Sequence, residues 1–108
     1  MKSYKLQIKS IEWLFILMSD EDYRKAHGID SQGVTLKHKQ EVHLNKKHFT
    51  KKLVGHELFH AYHASCCTSS TDNIDSEDTE EIGAEIIEFH LDEMVINRNK
   101  IYRGLGGR

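Results

Sequence analysis

The apolar residues of this chain change their spacing partway along it, and that change decides which elements it can form. Tyr4, Leu6 and Ile8 alternate with polar residues, the period of two of a half-buried strand. Ile11 to Met18 is nearly all apolar and rich in β-branched and aromatic residues, which suits a more central strand, with a buried helix as the competing reading. Ser19 or Asp20 then caps a short helix through Tyr23 to Ala26 that ends at Gly28. Gly33 to Lys37 (GVTLK) and Glu41 to Leu44 (EVHL) read as two short strands across a polar turn, Val34 and Leu36 on one face and Val42 and Leu44 similarly. From about Lys47 or Thr50 to Ala64 the spacing becomes helical, through Phe49, Leu53, Val54, Leu58, Ala61 and Tyr62. Ser65 to Thr79 is a Ser/Thr/Asp-rich loop. A last helix from about Asp78 to Arg98 starts acidic and ends basic, as the helix dipole prefers.

These elements make one α+β domain over residues 1–108, a small mainly antiparallel sheet packed on one helix and crossed by a C-terminal helix. The Gly-rich tail, Gly104 to Arg108, is expected to fray. At 108 residues there is little room for a second domain. A formal net charge of −2 argues against a general nucleic-acid binder, which carries a basic excess. No apolar run approaches the ~20 residues that cross a bilayer, so no membrane partner is expected. Cys66 and Cys67 are adjacent and cannot build a disulfide framework, which points to a reducing, cytoplasmic setting.

The chemistry concentrates in His56-Glu57-Leu58-Phe59-His60, an H-E-x-x-H. Positions four apart share a helix face, so both imidazoles can converge on one metal ion. Glu57 borders the same site and reaches a metal-bound water rather than the metal, where a general base is needed. With eight His and ten Glu in the chain, chance alone gives the pattern in roughly one such sequence in twenty. The surroundings therefore decide. The motif sits inside a helical pattern with apolar flanks, two strands precede it, and an acidic helix follows some twenty residues later.

A catalytic zinc takes three protein ligands and leaves a position for water. His63 shares the face of His60, but on an unbroken helix it lies about 10 Å of rise from His56, too far for one ion. The segment Glu80-Glu81-Ile82-Gly83-Ala84-Glu85 offers carboxylates instead. Glu81 is the preferred third ligand, with Glu85 one turn on as acceptor for a ligating imidazole N–H. Glu80 and Glu77 are the alternatives, as is Glu85 itself.

Across Gly33 to about Met94 the strand pair, GHELFHAYH, the polar loop and EEIGAEIIEFH resemble the zincin metallopeptidases, specifically the gluzincin branch with a Glu third ligand. Within it the chain looks most like the minimal single-domain kind of bacteria and phages, including the ImmA/IrrE-type group. It departs from that group in lacking the usual Leu/Met-Pro turn after the last helix and an attached helix-turn-helix. The resemblance implies a zinc (Zn2+)-dependent peptidase acting on a protein or peptide. His56, His60 and Glu81 would hold the metal, and Glu57 would take the proton of the attacking water and pass it to the leaving amine. A further electrophile is expected from His63, His90, Tyr62, Tyr102 or Arg103. The edge strand ahead of the helix, Glu41 to Leu44, would bind substrate by strand addition. Two other readings are a zincin-fold metal protein that acts by gripping a partner, and a purely structural zinc domain. Neither needs a base beside the metal.

The remaining features read as ordinary structure. His38, His43 and His48 are expected on the surface. Lys46, Lys47, Lys51 and Lys52 form a solvated face, and Cys66-Cys67 the packed end of a helix. On the last helix Ile82, Ile86 and Phe89, and Ile87, Leu91, Met94 and Val95, are expected to pack in the core. Glu81, Glu85, Glu88 and Asp92 form the opposite, acidic stripe.

Overall fold

A computed structural model describes residues 1–66 and 76–108, and of residues 76–82 and 85 the backbone alone. The domain is α+β: the described residues form a four-stranded, mostly antiparallel sheet with three α-helices. Strands β1 (Lys2–Ile8) and β2 (Ile11–Met18) form a hairpin through a two-residue turn in which Lys9 takes φ 56°. Helix α1 (Asp20–His27) follows. Its N-cap is Ser19, whose hydroxyl accepts from the Asp22 N–H at 3.2 Å, and the chain leaves it at Gly28 with φ 81°. Strands β3 (Gly33–Leu36) and β4 (Glu41–Asn45) form a second hairpin.

The sheet order is β1-β2-β4-β3, and β2 and β4 run parallel. This places β4 inside the sheet and leaves β3 at its edge. The expectation that Glu41 to Leu44 is the edge strand is therefore corrected: both of its sides are paired. A parallel pair needs a crossover, here made by α1 and β3, and the second hairpin so docks by β4 rather than β3. The register also separates the hairpin's apolar residues. Thr35 stands opposite Val42 and Gly33 opposite Leu44, so Thr35 and Gly33 share the inner face with Val42 and Leu44, while Val34 and Leu36 point outward.

The inner face carries Ile8, Trp13, Phe15, Leu17, Val42 and Leu44, all buried. Helix α2 (Lys51–Cys66) covers it with Leu53, Val54, Leu58 and Ala61. The Thr50 hydroxyl accepts from the Leu53 N–H at 3.1 Å and so caps its start. The buried Trp13 Nε1–H donates to Ser65 Oγ at 2.8 Å, tying the far end of α2 to β2. Each fully buried large side chain contributes about 1.5–3 kcal/mol, so α2 is fixed firmly over the sheet.

Helix α3 (Ser76–Gly104) is longer than its sequence pattern, running six residues past Arg98 because Ile101 and Leu105 continue its buried stripe. The tail does not fray over residues 104–107. Leu105 is 1% exposed, the Gly107 N–H donates to the Tyr102 carbonyl at 2.8 Å, and Gly104 lies against the Tyr4 ring. Of the apolar residues expected in the core, Ile86 is buried and Met94 packs against it, but Ile87, Phe89, Leu91 and Val95 are exposed. Ile82 falls outside the described side chains. Among the described residues, no helix is long and apolar enough to cross a membrane.

Candidate metal centre

Helix α2 buries Val54, Leu58 and Ala61 against the sheet, and this rotation turns His56 and His60 outward. Their Nε2 atoms stand 3.3 Å apart, with ring centroids at 4.9 Å and planes at 79°. Two donors at ~2.0–2.1 Å from one tetrahedral ion are separated by about 3.3–3.4 Å. The pair already has the spacing of two ligands on one ion. Burial, the largest influence, pushes the His60 pKa down, against the opposing pull of Glu57 and with smaller help from His56. That keeps the imidazole neutral, the form that binds metal. Two imidazoles at this spacing match two of the four positions of a zinc ion.

Glu57 lies on the other side of this pair. Its side chain is 6% exposed against 67% for His56, and its Oε2 is 3.8 Å from His56 Nε2. Its Oε1 accepts a hydrogen bond from Thr35 Oγ1 at 2.9 Å. The aliphatic part of Glu57 passes over Gly33, where a Cβ would stand 3.1 Å from Glu57 Cγ and from Leu53 Cδ1. An open groove of about 500 Å³ begins here, lined by Ser31, Gln32, Gly33, Lys52, Leu53, His56 and Glu57. It lies between the segment leading into β3 and the first turns of α2.

On the opposite flank α3 approaches α2 at Gly83, where a Cβ would be 3.9 Å from the Phe59 ring. The side chains of Glu77, Glu80, Glu81 and Glu85, among which the third ligand is sought, lie outside the described residues. Among the described residues, no three His, Cys, Asp or Glu side chains form a metal-holding group. Of the rest of the acidic stripe, Glu88 and Asp92 are exposed.

The electrophile candidates are scattered. Tyr62 is buried, its hydroxyl accepts from Asn97 Nδ2 at 2.9 Å, and burial holds its pKa far above the usual phenol value. Tyr102 stacks on Phe49 at 4.9 Å, near the start of α2. Arg103 is exposed in the last turn of α3. His90 Nδ1 lies 3.3 Å from Glu93 Oε2, and the half-buried His63 ring sits 6.4 Å from Phe59. His43 is not a surface residue as expected, being 14% exposed and bonded at both nitrogens.

Thr35 is the site residue that sequence reasoning missed. The available signal was the strand period: with β3 paired to β4 and Val42 inward, Thr35 must face α2. No family model matches the chain, and no curated protein or solved structure does so either.

Proposed function

We propose that the protein is a zinc-dependent peptidase. The observation that carries this reading is the 3.3 Å separation of the His56 and His60 Nε2 atoms beside a buried, oriented Glu57 carboxylate. Glu81 from α3 completes the ligand set in this proposal, with the acidic start of that helix as its support. Zinc, when bound, supplies the Lewis acidity that activates water and polarises the scissile carbonyl. Glu57 accepts the proton of the attacking water at the oxygen not held by Thr35, and returns it to the leaving amine nitrogen. A peptide lying in the groove at the start of β3 would bring its carbonyl to the His56 side of Glu57. The adjacent cysteines support a reducing, cytoplasmic place of action.

The test is metal analysis followed by Glu57→Gln. Wild-type protein is expected to hold one zinc and cleave a peptide library, and Glu57→Gln to keep the zinc and lose about 10²–10⁴-fold in rate. A wild type that binds no zinc, or a variant as fast as it, removes the peptidase reading. A second reading, a zincin-fold protein that grips a partner without cleaving it, draws on the outward Ile87, Phe89 and Ile96, exposed by 55%, 67% and 55%. Glu57→Gln would then leave every cellular activity intact.

A further inference from the structure

We infer that Thr35 is a positioning residue for this site, its hydroxyl fixing which oxygen of Glu57 faces the His56–His60 pair. Its effect on rate rests on the peptidase reading. The bond itself does not.

Three features of the fold converge on this one contact. The register of β3 against β4 turns Thr35 toward α2, because it stands opposite the buried Val42. Gly33, two residues earlier on the same face, has no side chain, and the Glu57 methylenes fill that space. The carboxylate is thereby laid along β3 and ends at Thr35. A threonine hydroxyl has one proton to give. Its two acceptors in reach are Glu57 Oε1 at 2.9 Å and the Glu57 carbonyl at 3.3 Å, so the carboxylate takes the shorter, charge-assisted bond. The carbonyl contact keeps Thr35 close to the helix.

A glutamate carboxyl rotates easily about its last torsion. In this site rotation would exchange the oxygen near His56 Nε2 for the one now held by Thr35. Anchoring Oε1 leaves Oε2 as the proton acceptor on the metal side. An edge-strand residue thus supplies what the H-E-x-x-H helix cannot: a fixed direction for its base.

Thr35→Val keeps the shape and the strand preference and removes only the hydroxyl, and Thr35→Ser restores the hydroxyl alone. With zinc loaded, Thr35→Val is expected to lower kcat about 10–100-fold at unchanged KM and zinc content. Thr35→Ser should recover most of that loss. A crystal structure of metal-free Thr35→Val should show the Glu57 carboxylate rotated or in two positions, against one in the wild type. A Thr35→Val protein with wild-type kcat, or with Glu57 unmoved, overturns the inference. If the wild type cleaves no peptide, the peptidase reading falls, and the Glu57 position in the metal-free variant still decides whether Thr35 orients it.

Discussion

Two clusters in this small domain contain the same residue types, two histidines and a glutamate, and they are built in opposite ways. On the side of the sheet covered by α2, His56 and His60 stand one turn apart with their Nε2 atoms 3.3 Å from each other, and Glu57 Oε2 lies 3.8 Å from His56 Nε2. On the outer side the groups are arranged in series. Glu41 Oε1 accepts from His43 Nε2 at 2.9 Å, and His43 Nδ1 accepts from His27 Nε2 at 2.8 Å. Each nitrogen of His43 is consumed by a neighbour, so no pair of lone pairs is left to converge on an ion. The outer chain fastens the end of α1 to β4, and the inner set is the one proposed to hold the metal. Residue type is equal in the two places, and geometry separates them.

The largest expected effect breaks or confirms this contrast directly. His60→Ala removes one of the convergent donors and should weaken zinc binding on the order of 10³-fold. His43→Ala, in the serial cluster, should change it by less than about twofold. Competition with a zinc chelator measures both. A loss confined to His43→Ala would mean that the serial cluster, and not α2, takes the metal.

Why one cluster was legible in the sequence and the other was not follows from how each is encoded. His56, Glu57 and His60 are local: a helix of any tertiary surroundings puts positions four apart on one face, so the convergence could be read from spacing. His27, His43 and Glu41 come from a helix and a strand that meet only because β4 pairs in parallel with β2. Nothing in a short apolar run states its partner, and the same gap misplaced β4 at the sheet edge and left Thr35 unnoticed. The strands, α2 and α3 were recoverable from their apolar periods, and α1 from its Ser19 cap and Gly28 stop. The end of α3 was not, because the glycines of the tail outweighed Ile101 and Leu105 in a purely local reading, whereas burial of those two side chains decides the matter. On α3 the helical period holds, but Ile87, Phe89, Leu91 and Val95 are exposed, since one helix face alone meets α2.

The next effect sharpens what the inner set still needs from α3. Glu81→Ala should weaken zinc binding about 10²-fold or more, and Glu85→Ala, if it supports an imidazole instead, about tenfold. The same chelator competition ranks them. A Glu81→Ala protein with wild-type affinity moves the third ligand to Glu80, Glu85 or Glu77.

The smallest effect concerns the serial cluster alone and appears as a pH dependence of stability. Burial, then the charges of His43 and Lys39, pushes the His27 pKa below its ordinary 6.5. The neighbours that face it are the His43 ring, the Tyr23 ring at 4.9 Å, and Lys39, with Glu41 acting through His43. A depressed histidine pKa means that the unfolded chain binds more protons than the fold does just below 6.5. Stability from this group is therefore fully present above about pH 6.5 and is lost as pH falls through the folded-state value. His60 titrates with the same sign, so the measurement belongs in metal-free His60→Ala protein. There, Tm should fall between pH 7 and pH 5, and adding His27→Gln should flatten that fall. An unchanged slope would show that the serial chain is formed but carries no stability, and the contrast between the two clusters would then rest on the inner one alone.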